Sequence, residues 1–162
     1  MEIRKSNQSD LEDILILYQQ AREFMKDHGN PNQWGNHYPE ASVIEEDIAK
    51  GRGYVCMDEG QAVGTFMFAV GADETYANIY QGEWLSDEPY AVIHRITASA
   101  EKRGVATFCL NWCFNQYQNL RIDTHRDNIP MQNLLKKNGF IPCGIIYLKN
   151  GDERIAFQKV NR

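Results

Sequence analysis

Residues 90–117 read YAVIHRITASAEKRGVATFCLNWCFNQY, and their reading decides the fold. Ala91 to Ala98 is β-branched and apolar, which predicts a strand. Val105, Phe108, Cys109, Trp112 and Cys113 recur at helical spacing, and Leu110, Phe114 and Tyr117 widen that apolar face. Between strand and helix lies Ser99 to Gly104, short, polar and closed by glycine. A strand that turns tightly into a helix leaves the first backbone N–H groups of that helix unpaired. Those groups, with the helix dipole, make a site for an anion, most naturally a phosphate. Arg103 adds charge at its rim, and Gly104 lets the backbone come close to a ligand.

Composition bounds the rest. With 162 residues, 43% of them apolar, the chain reads as one domain, residues 1–162. A domain of this size buries about 70% of its unfolded surface and needs no disulfide or metal to fold. A net charge of −5 argues against nucleic-acid and anionic-membrane partners. No apolar run at the start suggests a signal peptide, and no stretch is long enough to span a membrane. Cys56, Cys109, Cys113 and Cys143 include no C-x-x-C pair. They read as reduced thiols of a cytoplasmic protein, and no metal is expected. Cys109 and Cys113 share a helix face as small core residues.

Outward from the central unit, Met1 to Lys5 is a short strand. Leu11, Ile14, Leu15, Tyr18, Ala21 and Met25 form a helical stripe behind N-caps at Asn7 to Asp10. The run His28 to Pro39, HGNPNQWGNHYP, breaks that helix and carries Trp34. It reads as a loop that either lines a pocket or packs its rings on the core. Ser42, with Glu45 three residues on, predicts a capping box for a second helix. Gly53 to Asp58 and Ala62 to Val70 are strands joined by Glu59-Gly60. Gly71 to Pro89 is a loop with Glu83 and Trp84, either at the mouth of a site or covering the core. After the central helix come a strand at Leu120 to Thr124, a helix opened by Pro130 and stopped at Gly139, and strands at Phe140 to Leu148 and Arg154 to Val160.

Two motifs give this order a likeness. Arg103-Gly-Val-Ala-Thr-Phe108 resembles the pyrophosphate loop of the GNAT N-acetyltransferases, with Ala106 and Phe108 where the family prefers glycine and a small residue. Asn128-Ile-Pro-Met131 followed by Leu134-Leu-Lys-Lys-Asn-Gly-Phe140 resembles a second family motif. Asn128, Leu134, Lys137, Gly139 and Phe140 match in register. The resemblance covers most of the chain. It implies an α/β GNAT fold: a central mixed, mostly antiparallel sheet flanked by helices, with a strand-turn-helix acyl-CoA site. It implies transfer of an acetyl group from acetyl-CoA to a primary amine of a small molecule or peptide. A non-catalytic acyl-CoA-binding or regulatory domain is the alternative. The resemblance further implies that the backbone of Ile96, Thr97 and Ala98 holds the pantetheine and that of Arg103, Gly104, Val105, Ala106, Thr107 and Phe108 the pyrophosphate. Asn128 and Lys137 would lie near the CoA arm. A homodimer stays open.

The chemistry asks for a base, because an ammonium ion has no lone pair, and for a donor to the thioester oxygen. Strand alternation puts His94, Ile96 and Ala98 on one face. His94 reads either as a base near neutral pH or as a hydrogen-bonded structural histidine. Asp123 and His125 end the next strand and are further catalytic candidates, although Asp123 could instead pair with Arg121 or Arg95. Leu135 stands where the family often has a tyrosine that protonates the leaving thiolate. Tyr147 and Cys143 are stand-ins, and a thiol pKa of about 8.5 makes thiolate a tolerable leaving group. Trp34, Glu83 and Trp84 would build the acceptor site.

Overall fold

The computed structural model describes residues 1–161. Its strands are β1 (Glu2–Lys5), β2 (Gly53–Asp58), β3 (Gln61–Val70), β4 (Ala91–Ala98), β5 (Asn119–Thr124), β6 (Ile141–Tyr147) and β7 (Glu153–Val160). Its α-helices are α1 (Leu11–Asp27), α2 (Ala41–Ala49), α3 (Val105–Gln116) and α4 (Ile129–Lys137). The strands join in one sheet, ordered β1-β2-β3-β4-β5-β7-β6. The pairing is antiparallel throughout except between β4 and β5, which run parallel. This is the mixed, mostly antiparallel sheet that the family likeness implies.

The central unit forms as its pattern requires. Val105, Cys109, Leu110 and Cys113 are buried and share a core with Phe66, Phe68, Ile93 and Ile96 of the sheet. Both cysteines of that helix are core residues, and burial pushes their thiols far up from the usual range. Leu135 of α4 belongs to the same core and is fully buried. Between β2 and β3, Glu59 and Gly60 both take positive φ (49° and 79°), the geometry of a two-residue hairpin.

Two expectations need correction, and one left open is settled. Ser42 does not cap α2: the helix begins at Ala41, directly after an extended Glu40, so Ser42 already lies inside its first turn. The loop at 71–89 does both things proposed for it. Tyr76 is buried under the sheet, and Tyr80 makes a β-bridge to Ile145 at the sheet's edge, while Asp73 and Thr75 line a cleft. Alternation along β4 also fails. Thr65 faces Thr97 and Met67 faces His94, so two residues of β4, Arg95 and Ile96, stand opposite one of β3. This is a β-bulge, with Arg95 at φ 54°. Ile93 and Ile96 therefore both face α3, whereas His94 packs on the opposite side against Tyr76.

The bulge is held from outside the strand. The Tyr18 hydroxyl donates to the Arg95 carbonyl at 2.7 Å. The Arg95 guanidinium donates to buried Asp47 at 2.5 Å and to the Tyr38 hydroxyl at 3.3 Å. Asp47 also accepts from Arg52 at 2.8 Å.

Candidate active site

The parallel β4–β5 pair is short. Ala91 faces Leu120 and Val92 faces Arg121, and no pairing follows Val92, ahead of the bulge, among the described residues. The strands part there, leaving backbone groups of β4 without a sheet neighbour. Ser99 N–H donates to the Val63 carbonyl at 2.7 Å. Antiparallel alternation then turns Thr97 toward β3, and Ile96 and Ala98 toward the gap. The outward polar groups of Ile96 and Ala98 are thus available to an extended ligand, whereas Thr97 is occupied by β3.

At the end of β4 the chain passes through Glu101 to Gly104 into α3. Gly104 is the N-cap at φ 81°, a conformation that glycine adopts without strain. No side chain caps this helix, and no acidic residue lies in its first turn. The first helical bond is Phe108 N–H to the Gly104 carbonyl, at 3.0 Å. The N–H groups of Val105, Ala106 and Thr107 are therefore open to an anion, while that of Phe108 is not, which corrects the expectation for Phe108. Arg103 is exposed beside them and makes no ion pair among the described residues. Asn138 donates to the Thr107 hydroxyl at 3.2 Å and so ties the end of α4 to this turn. Lys137 is exposed on that end. Asn128 lines the cleft, but both ends of its amide are engaged: it accepts from Met131 N–H as the α4 cap and donates to Gln33.

On the other side of the parted strands lies a cleft of about 840 Å³. His94, Asp123, Ile96 and Asn128 line it, with Trp34 and Tyr38 from the α1–α2 loop and Asp152 and Arg154 from the β6–β7 hairpin. His94 Nε2 lies 2.7 Å from Asp73 Oδ2. The His94 hydrogen bond holds the Asp73 carboxyl far below the usual carboxylate range. An ionised carboxylate only accepts, so Nε2 carries a proton, and in the neutral imidazole Nδ1 carries the lone pair. Asp73 is itself fixed by Thr75 N–H at 2.9 Å and by its own N–H to the Tyr90 hydroxyl at 3.0 Å. Tyr76 donates to Asp123 at 2.6 Å. Burial first, then the Asp123 charge, raises the Tyr76 phenol well above its usual value and keeps it a donor.

The remaining predicted positions fall elsewhere. Asp123 pairs with neither arginine, because Arg95 is taken by Asp47 and Arg121 is clamped between the rings of Trp84 and Tyr90, 4.0 and 3.9 Å from their centres. That clamp also draws Trp84 away from the cleft, and the neighbouring Glu83 is exposed. His125 accepts from Asp127 N–H at 3.0 Å in the turn before α4 and does not line the cleft. Burial, followed by the Arg154 charge, lowers its pKa. Tyr147 lies on edge strand β6 and packs its ring on Tyr80, outside the cleft. Cys143, on the same strand, donates to the Ile141 carbonyl at 3.2 Å.

Sequence reading missed Asp73, Gln33 and Arg154. The Gln33 amide oxygen accepts from Asn30, Thr124 and Asn128, and its carbonyl accepts from Arg154 at 3.0 Å. One signal was available. Alternation along Arg154-Ile-Ala-Phe-Gln158 puts two polar side chains on one face of a strand that is buried, which marks that face as more than plain core.

No protein-family model matches the chain, and no curated protein matches it. Solved structures do. A GNAT-family acetyltransferase from Streptococcus agalactiae 2603 has a TM-score of 0.91 and 31% identity, over 99% of this chain and 95% of that one. A structure from Staphylococcus aureus Mu50 has a TM-score of 0.73 and 30% identity, over 99% of both chains. An aminoglycoside N-acetyltransferase in complex with CoA shares the fold at TM-score 0.59 and 18% identity, over 88% of this chain and 92% of that one. The parted β4–β5 strands, the uncapped helix behind Gly104 and near-complete overlap at 31% identity lead to one assignment: the chain belongs to the GNAT family of acetyltransferases.

Proposed function

We propose that residues 1–162 form one domain that moves an acetyl group from acetyl-CoA to a primary amine, with His94 as the base. The observation that carries this reading is the His94–Asp73 pair beside the opening between β4 and β5. Acetyl-CoA fits the groups present. The N–H groups of Val105, Ala106 and Thr107, with Arg103 beside them, would hold its pyrophosphate, and the open backbone edge at Ile96 and Ala98 its pantetheine. When bound it supplies an acetyl thioester.

The chain's own residues do the rest. Asp73 fixes the imidazole so that Nδ1 presents a lone pair, and it stabilises the imidazolium that forms when His94 takes a proton from the amine. The backbone edge of β4 supplies donors where charge develops on the thioester oxygen. Leu135 cannot give a proton to the departing thiolate, and its full burial keeps water from that position too. The sulfur leaves as thiolate or takes its proton from water in the cleft. Four buried, reduced cysteines suit a cytoplasmic setting.

Thiol release from acetyl-CoA with a panel of amines tests the reading. Amine-dependent release that falls at least about a hundredfold in His94→Gln supports it. Acetyl-CoA binding without release for any amine would favour the non-catalytic alternative, which Leu135 motivates. A His94→Gln protein with full turnover and an unchanged pH profile removes His94 from the base role.

A further inference from the structure

Charge balance within the cleft singles out two side chains. Asp73 is held by the His94 imidazole and the Thr75 N–H, and Arg95 and Arg52 share Asp47, with Glu46 4.0 Å from Arg52 as the second carboxylate. Lys149 and Asp152 are exposed at the rim. Asp123 and Arg154 are shielded and make no ion pair among the described residues. Arg154 is only 5% exposed. It donates to two backbone carbonyls, those of Glu153 at 2.9 Å and Gln33 at 3.0 Å, and to no carboxylate among the described residues. Asp123 accepts from Tyr76 through one oxygen and makes no ion pair among the described residues.

A shielded guanidinium without a counter-ion is costly, and the planar fork of N–H groups matches a carboxylate. The two unmatched charges also have a fixed relation. Asp123 faces Ala156 on β7, and Arg154 lies two residues before Ala156 on the same face. Such diagonal neighbours stand about 7–8 Å apart. Tyr76 connects the acidic end to the base, since its hydroxyl holds Asp123 and its ring packs 5.8 Å from His94.

We infer that the acceptor is a small zwitterion, an α-amino acid or amino-acid-like compound, with its amino group at Asp123 and His94 and its carboxylate on Arg154. The inference rests on the acyl-transfer reading above and adds the acceptor's class to it. The amine nitrogen bonds to the acetyl carbon as the carbon–sulfur bond breaks. The ammonium form loses two protons overall; one passes through His94 to water and one ends on the CoA thiol. A peptide N-terminus would set an amide against Arg154. A polyamine or aminoglycoside would set another cation there.

The test compares matched acceptors in the wild-type chain: the common L-amino acids, the carboxamide of each, and the amine left when each loses its carboxylate. Thiol release is followed at saturating acetyl-CoA, and thermal unfolding is followed with CoA in its place. At least one amino acid is expected to exceed its carboxamide about ten- to a hundredfold in kcat/KM, the range of a hydrogen bond to a charged group. The same amino acid, and not its carboxamide, raises the unfolding temperature of the CoA complex. Arg154→Gln collapses the preference, mainly through KM, and a folded state is checked by its own unfolding curve. Carboxamides or simple amines used as well as the acids overturn the inference, as does a preference that survives in Arg154→Gln. No turnover of any amino acid also overturns it. Release with the simple amines then shows that acyl transfer stands, and silence across the whole panel shows that it falls as well.

Discussion

Asp73→Asn isolates the contribution of the histidine–carboxylate pair. The substitution keeps the side chain's shape, and one oxygen remains to accept the Thr75 N–H. What changes is the group 2.7 Å from His94 Nε2. A negative acceptor becomes a neutral amide, so the imidazolium formed during proton transfer loses its counter-charge. Both side chains are shielded, at 21% and 23% exposure, so the interaction falls in the charge-assisted range of about 1.5–3 kcal/mol. That corresponds to a loss of roughly ten- to 150-fold in kcat/KM. The depressed Asp73 carboxyl contributes stability that is present above about pH 4 and lost as the pH falls through its lowered value. Asp73→Asn therefore flattens the acid side of the stability curve. The assay is kcat/KM against pH with the best amine, beside urea unfolding across the same range. Turnover within twofold of wild type across that pH range would refute the role given to this pair.

Gly104→Ala places a Cβ in open space but in a left-handed conformation. It should fold, lose about 1–2 kcal/mol and melt about 2–8 °C lower, and bind acetyl-CoA more weakly in a calorimetric titration. Unchanged affinity would separate this turn from the phosphate. His125 has a lowered pKa, so it contributes stability above about pH 6.5 that is lost as the pH falls below. His125→Asn, which can still accept the Asp127 N–H, should lose less stability than wild type between about pH 6.5 and 5, and it should keep turnover at pH 8; parallel unfolding curves would contradict the first expectation.

Local pattern carried the fold. The β4-turn-α3 unit could be read because a period-two apolar run gives way, across one short polar turn, to a helical period that has one possible buried side. The last helix could be read from Pro130 and Gly139, each of which has a local backbone reason to sit where it does. Ser42 failed because the helix starts two residues before its capping position would allow, at Ala41 behind Pro39 and an extended Glu40 whose side chain makes no cap bond. The site was less legible, since its parts meet only through the tertiary fold. His94 was visible on its strand, but the bulge that turns it away from Ile96 depends on Tyr18 and Asp47, 77 and 48 residues away in sequence. Asp73 sits in a loop whose local pattern offers only a turn cap. Trp84 was placed at the acceptor site because its loop is too apolar to be a free linker. Its partner proved to be the buried cation of Arg121 rather than a ligand.

The most direct test of the account is thermal unfolding with and without excess acetyl-CoA. Ligand at about a hundred times its dissociation constant should stabilise the fold by about 2.7 kcal/mol, a rise of roughly 5–10 °C for a domain of this size. The account predicts that rise in the wild type and a smaller one in Gly104→Ala at the same concentration. No shift at millimolar acetyl-CoA would contradict it, and would mean that the open β4 edge and the uncapped helix behind Gly104 serve something other than an acyl-CoA.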